Sequence, residues 1–245
     1  MNHLISTLKC ILIIILFQVS MTAQSFITTW NTSNPGTSNN TSITIPTGTG
    51  AFNYDVDWNN DGVFDQLGLA AGVTHNFGVA GIYTIRIRGN FPSIYFNNGG
   101  DKLKIIDIKA WGTISWSSMK GAFHGCTNLT CTATDAPVLT NVSDMSSIFR
   151  ASGITGNFSV WNVSSVTDMS FAFSYATSFN SNINAWNMGN VTTMRGMFWG
   201  ASKFNQPLNS WNVVKVTDMS FMFSFAESFN QPLNAWNVFK AGNMA

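Results

Sequence analysis

Charged side chains are scarce in this sequence of 245 residues, since they make up 9% of the chain and the only glutamate is Glu227. Histidine and cysteine are rare as well, with three of each, and the formal net charge is +1. Disorder driven by a high net charge is therefore excluded. A neutral chain without a basic cluster also lacks the electrostatic footprint that nucleic acids and anionic membranes require, so we expect neither as a partner.

Catalytic motifs are also missing. His75 and His124 lie in no nucleophile-elbow, metalloprotease or phosphate-loop pattern, and each is expected to be a surface or turn residue. A glycosidase needs two carboxylates at a fixed separation, and a sequence cannot place distant aspartates at that separation. We therefore expect a protein that is not an enzyme.

Long hydrophobic runs are absent, because the longest one, Ile11 to Phe17, falls well short of the about 20 residues of a membrane-spanning helix. A short polar start precedes this run, and the small-residue segment Met21 to Ser25 follows it. Such an order is typical of a cleaved signal peptide, which we predict over residues 1–24. The mature protein is then expected to be secreted or on the cell surface, with no membrane span.

Two cysteines, Cys126 and Cys131, remain once that segment is removed. An oxidising compartment favours a disulfide between them, and the alternative is a pair of small buried hydrophobic side chains. Zinc is not expected, because no second cysteine pair or histidine pair accompanies them.

What the sequence does contain is an internal repeat of 25 residues, visible in four columns. The columns are Trp161, Trp186, Trp211 and Trp236; Met169, Met194, Met219 and Met244; Phe173, Phe198 and Phe223; and Phe179, Phe204 and Phe229. Looser copies, Met145 with Phe149 and Met119 with Phe123, place the start of the array near residue 103. One unit cannot bury its own apolar face, so neighbouring units are expected to stack around a shared core.

Each unit is predicted to contain one short strand and one short helix. Val213, Val216 and Met219 suit a short strand or extended turn. Ser220 to Ala226 is long enough for about two helical turns, with Asp218 or Ser220 as the cap. The Met and Phe columns are expected in the core. The Trp column is expected there too, with an exposed ladder that stacks on sugars as the alternative. The asparagines that follow the tryptophans should bond turn backbone groups; they are Asn162, Asn187, Asn212 and Asn237.

The segment before the array has no such period. Phe52 to Trp58 and Tyr83 to Arg88 alternate as strands do, and Asn31 to Asn40 has the composition of a linker or loop. The predicted fold class is therefore α+β, with a small β-sandwich over residues 25–102 and a solenoid over residues 103–245. The array stops at Ala245, after a Met-column residue and before its Phe partner, so we expect it to be incomplete at the C-terminus.

One segment has the spacing of a calcium-binding loop. Oxygen-bearing side chains recur at alternate positions around Gly62, and the candidate ligands are Asp57, Asn59, Asp61 and Asp65. The position where a closing glutamate is expected holds Gly68. The same residues also favour a plain hairpin turn between two strands, so both interpretations stand. No other cofactor is predicted.

The repeats resemble a known family in several motifs at once. Trp116 to Leu129, the form Phe-Asn-Gln-Pro-Leu-Asn-x-Trp-Asn-Val and the form Val-Thr-Asp-Met-Ser-x-Met-Phe are similar to those of BspA-like leucine-rich-repeat surface proteins. The segments Asp55 to Gly62 and Gly81 to Ile85 are similar to PKD-like sandwich domains. The repeat resemblance implies a non-catalytic surface or secreted protein that adheres to extracellular proteins, matrix or glycans.

Two other functions remain open from the sequence, a structural envelope or matrix component that self-associates and a carbohydrate-binding module that uses exposed tryptophans. For the adhesion function, contacts with the partner are expected at positions that vary between units. These are Arg195, Lys203, Lys215 and Glu227.

Overall fold

The computed structural model describes residues 25–242, and within that range the protein is all-β. Its strands are β1 (Phe26–Asn31), β2 (Ser42–Ile45), β3 (Asn53–Asp57), β4 (Gln66–Leu69), β5 (Val73–Asn76), β6 (Ile82–Asn90), β7 (Ile105–Ala110) and β8 (Thr130–Cys131). No helix in residues 25–242 is long and apolar enough to cross a membrane. The predicted signal peptide and Met244 lie outside the described residues.

The N-terminal half is built on a six-stranded sheet with the order β4-β3-β6-β1-β7-β8, and β2 pairs with β5 in a second, two-stranded sheet. The two predicted strand segments correspond to β3 and β6, which pair antiparallel with Val56 opposite Ile87. Alternate side chains of β3 and β6 are buried, as the period-2 pattern requires. The ring of Trp58, at the end of β3, stacks on His75 of β5 at 4.3 Å and links the two sheets.

The loop between β1 and β2 is not a free linker, because a buried lysine holds it. Lys104 is 1% exposed, and its Nζ donates to the carbonyl oxygens of Ser38, Asn39 and Ser42. Burial alone would raise the pKa of Asp101, but donors from Ser38 and from the Thr44 N–H, together with the charge of Lys104, keep it below its ordinary value. Buried charges of this kind persist when they are paired and hydrogen-bonded.

The sheet continues into the repeats without a break. The predicted boundary after residue 102 lies just before β7, which pairs antiparallel with β1. β8, inside the first repeats, pairs in parallel with β7. One hydrophobic core, from Phe26 to Met222, runs through both halves.

Five coils stack behind the sheet, and we number them by their methionines: coil 1 (Met119), coil 2 (Met145), coil 3 (Met169), coil 4 (Met194) and coil 5 (Met219). These methionines are buried, and so are the phenylalanines four positions later, except for the partly buried Phe223. The rings of Phe173, Phe198 and Phe223 lie parallel at 5.8 Å spacing. The prediction that the repeat columns form a shared core is confirmed for the described residues.

The coils are joined by a ladder of backbone hydrogen bonds, most of which run from one coil to the next. In coils 1 to 4, the N–H groups of the methionine and of the second, fourth and sixth residues after it donate to carbonyl oxygens of the next coil, at 2.6–3.1 Å. From coil 4 to coil 5, for example, Phe198 donates to Met222 at 2.9 Å. A second set of bonds runs the other way, as where Thr192 donates to Thr167 and Thr217 donates to Thr192 at 2.8 Å.

The predicted α+β class and the short helix in each coil are wrong. In the segment predicted as helical, Phe221 and Phe225 have φ angles of 58° and 55°, in the left-handed region. An α-helix keeps its N–H groups bonded within the segment, whereas in the equivalent segments of coils 1 to 4 alternate N–H groups donate to the next coil. Asp218 accepts from the Ser220 N–H at 2.9 Å and so caps a turn, not a helix.

We expect Phe198→Ala to lower the free energy of unfolding by about 3–5 kcal/mol, because it removes a fully buried ring from the middle of its column. Phe225→Ala is the matched control, since Phe225 is 70% exposed and its loss should change stability by no more than about 0.5 kcal/mol. Denaturant unfolding followed by tryptophan fluorescence measures both. An equal loss of stability in the two variants would contradict the burial of the phenylalanine column.

Candidate functional site

The predicted calcium loop is the connection between β3 and β4, and it is held by its own side chains. Asp57 Oδ2 accepts the Gly62 N–H at 2.8 Å, and Asp65 accepts the Trp58 N–H at 2.8 Å. Asn59 and Asp61 bond each other at the exposed tip. The structure therefore brings all four predicted residues into one turn.

The charge of Asp57 already has a counter-charge in this turn. The Arg86 Nε lies 3.8 Å from Asp57 Oδ2, and Arg86 also donates to the side chain of Asn60. A metal ion would have to share this carboxylate with a guanidinium. In residues 25–242, no group of three or more His, Cys, Asp or Glu side chains is placed to hold a metal ion. The geometry favours the hairpin turn over the cation site.

We expect Asp57→Ala to lower the free energy of unfolding by about 2–3 kcal/mol, because it removes a charged acceptor and leaves Arg86 without its counter-charge. Asp61→Ala, at the exposed tip, should cost less than about 1 kcal/mol. Millimolar calcium, added to chelator-treated protein, should leave the melting temperature unchanged. A rise in melting temperature that Asp57→Ala removes would restore the calcium interpretation.

The Trp column lies inside the stack and cannot form an exposed ladder. Trp186 and Trp211 are each 2% exposed, and their indole N–H groups donate to the carbonyl oxygens of Phe158 and Ile183. The prediction for the neighbouring asparagines is confirmed, because the Oδ1 atom of each accepts the N–H two residues later; they are Asn162, Asn187, Asn212 and Asn237.

The two cysteines are free, buried thiols, which is the second of the two interpretations left open by the sequence. Burial raises the pKa of Cys131 to about 11 and that of Cys126 well above its ordinary value. Thiols held neutral in this way are poor nucleophiles and act as small apolar side chains.

Aromatic side chains gather on one outer edge of coils 3 to 5, and we call this group the aromatic strip. It consists of Phe171, Tyr175, Trp199, Phe221 and Phe225. The Trp199 ring lies 6.3 Å from Phe171, 5.5 Å from Tyr175 and 5.8 Å from Phe221. Tyr175, Phe221 and Phe225 are 44%, 43% and 70% exposed. An exposed group of large apolar side chains of this kind marks an interaction surface.

The backbone beneath the strip is unfavourable for the residues it carries. Four of the five aromatics occupy the second and sixth positions after the methionine, where φ lies between 55° and 58°. Coils 1 and 4 have glycine at these positions, as the left-handed region favours. A bulky side chain there is rare and costs about 1–3 kcal/mol. Strain retained at an exposed position, where packing gives little in return, points to a function.

Two glycines of coil 4 make room for the rings of coil 3. A Cβ atom at Gly196 would lie 2.6 Å from the Phe171 ring, and one at Gly200 would lie 2.6 Å from the Tyr175 ring. The aromatics of coil 3 therefore lean over coil 4 towards Trp199. Alternation of glycine and aromatic coils produces one continuous strip.

Two arginines cover ring faces of the strip. The Arg150 guanidinium lies 5.1 Å from the centre of the Phe171 ring, and that of Arg195 lies 5.6 Å from the centre of the Phe221 ring. Arg195 Nη1 is 3.9 Å from Asp218, a weak surface pair. Among residues 25–242, the Arg150 guanidinium has no hydrogen-bond or ion-pair partner.

Further positive charge lies beside Arg150, and we call Lys102 and Arg150 the basic cluster. Burial lowers the pKa of His124, and the charges of Arg150 and Lys102 lower it further. Lys102 donates to the backbone and side-chain oxygens of Asn98. The cluster adjoins the coil-3 end of the strip through the contact between Arg150 and Phe171.

Sequence reasoning found only one member of this surface. The four positions predicted to contact a partner are all exposed, but of these only Arg195 touches the strip. Phe171 and Phe221 were missed because a phenylalanine in a repeat resembles a core residue. An alignment of the coils would have identified these two residues, because the other units have glycine or serine at the same position.

We expect Phe225→Asn to raise the free energy of unfolding by about 1 kcal/mol, because asparagine tolerates the left-handed conformation that strains phenylalanine. Phe225→Ala, which removes the same ring and keeps the strain, should give no such gain. Chemical denaturation of the two variants beside the unsubstituted protein tests this. A loss of stability with asparagine would show that the Phe225 ring contributes to packing.

One family profile matches the chain, over residues 95–153 and 143–245, and the family is described as "Mycoplasma protein of unknown function, DUF285". The two matches together span the coils and their junction with the sheet, more than half of the 245 residues. No curated protein and no solved structure matches the chain.

Proposed function

The chain belongs to the DUF285 family, and from that premise we propose that it is an exported, non-catalytic protein that binds extracellular polypeptides through the aromatic strip. One observation carries the proposal: large aromatic side chains occupy strained, exposed backbone positions where other coils have glycine. Strained backbone positions of this kind cluster at active sites and ligand-binding sites. A binding surface gives a reason to keep them.

The rest of the molecule supports a binding role. The coils share one continuous core with the sheet, so the strip lies on a rigid support. Rigid aromatic side chains give contact area with little loss of conformational entropy on binding, and aromatics and arginine are enriched at interfaces. The repeat motifs that resemble BspA-like surface proteins and the predicted signal peptide support placement outside the cell.

We expect the paired change Tyr175→Ser and Phe221→Ser to abolish binding of the purified protein to an array of extracellular-matrix proteins. Val160→Ser with Val214→Ser is the matched control, because these valines are 58% and 37% exposed, lie off the strip and should not affect binding. Equal binding by both paired variants would place the interface elsewhere.

The same experiment separates the other functions. Sedimentation of the protein alone tests self-association, and strip-dependent oligomers without a captured partner would favour the structural role. If the protein binds a glycan array but not the protein array, and this binding depends on the strip, the carbohydrate-binding role is favoured. A monomer that captures nothing would overturn the proposal.

A further inference from the structure

Three rings of the aromatic strip have a face covered by a neighbour, and Phe225, at 70% exposure, is the most open ring. Arg150 lies over the Phe171 ring and Arg195 over the Phe221 ring, while Trp199 stacks against Phe221 at an interplanar angle of 27°. Sugar recognition by stacking requires an uncovered aromatic face. The strip presents ring edges and partly covered faces, which suit contact with apolar side chains of a polypeptide.

The two arginines leave their hydrogen-bonding edges available. A guanidinium that lies over a ring forms no conventional hydrogen bond with it, so its N–H groups remain available to a partner. Carboxylates fit this planar fork with two parallel hydrogen bonds. Arg150 has no such partner among residues 25–242, and Arg195 lies 3.9 Å from Asp218, too far for a hydrogen bond.

Positive charge extends beyond the arginines at one end of the strip. Lys102 lies beside Arg150, and among residues 25–242 no acid forms an ion pair with either side chain of this basic cluster. In a chain with 9% charged residues, such a group is a local exception. The surface is therefore basic at coils 1 and 2 and aromatic at coils 3 to 5.

We infer that the strip and the basic cluster form one binding surface for an acidic segment of another polypeptide, whose apolar side chains pack on the exposed rings while its carboxylates pair with Arg150 and Arg195. This inference rests on the proposed function and specifies the chemistry of the partner. A second copy of the chain fits poorly, because acids make up only 11 of its 245 residues and the acidic column of the repeats has one carboxylate oxygen of each residue bonded to its own serines. Those bonds join Asp144 to Ser146, Asp168 to Ser170, and Asp218 to Ser220.

Selection from a library of random short peptides, displayed on phage and panned on the immobilised protein, tests the inference. Selected peptides should be enriched in Asp and Glu next to aromatic or aliphatic residues. Individual peptides should bind about tenfold more weakly when their acids are replaced by amides. Added salt should weaken the acidic peptides most.

Charge reversal provides the most specific test of the inference. On the Arg150→Glu, Arg195→Glu variant, the selected peptides should change from acidic to basic. Lys203→Glu with Lys215→Glu is the matched control, because it makes the same change of net charge at exposed positions off the strip and should leave the selection acidic. Melting temperatures of both variants confirm that each is folded.

The outcomes separate the inference from the proposed function. Peptides that depend on Tyr175 and Phe221 but carry no excess of acid would overturn the inference and leave the proposed function standing. If no selected peptide depends on these two residues, both the inference and the proposed function are overturned. Binding of heparin or polygalacturonate that is lost on charge reversal, without any peptide enrichment, would identify an acidic polysaccharide and would also overturn the inference.

Discussion

The ladder of backbone hydrogen bonds between coils is the constraint on which this structure depends. It fixes the spacing of the coils, and the 5.8 Å separation of the phenylalanine rings follows from it. Its direct contribution to stability is modest, since one backbone hydrogen bond contributes about 1 kcal/mol net. A buried phenylalanine contributes more, at about 1.5–3 kcal/mol. Burial therefore supplies most of the stability, and the ladder decides the geometry in which the burial occurs.

The same ladder divides each coil into an inner and an outer row. The methionine and the fourth residue after it point into the core, whereas the second and sixth residues take the left-handed conformation and lie on the outer edge. Outer residues contribute little to the core, so they vary between units from glycine to phenylalanine. A change of binding surface then requires no change of core. The cost of this arrangement is backbone strain at the bulky outer residues, which the rigid stack tolerates. These residues are Phe171, Tyr175, Phe221 and Phe225.

Features that repeat along the chain could be predicted from the sequence, and features that depend on distant contacts could not. The Trp, Met and Phe columns and the turn-forming asparagines recur every 25 residues, so their roles follow from the period. The helix prediction was wrong because Ser220 to Ala226 has helical length and a capping residue, while in the equivalent segments of coils 1 to 4 alternate N–H groups donate to the next coil. Lys104 was not recognised as the anchor of the β1–β2 loop, since its partners at Ser38 to Ser42 are far away in sequence. The strip was missed for a related reason: composition does not show which phenylalanines face outward.

Scarcity of charge gives the arginines of the strip their importance. A row of exposed aromatics on a nearly neutral protein favours aggregation, because no net charge keeps the molecules apart. A guanidinium stacked on a ring covers apolar surface while its edge stays hydrated. Arg150 and Arg195 thus reduce the apolar area that water meets when the protein is free. Their hydrated edges are also the groups that an acidic partner would engage, so the residues that favour solubility favour recognition as well. Replacing them with serine would remove both properties at once, whereas glutamate would keep a charged side chain of the opposite sign and so reverse the preference for the partner.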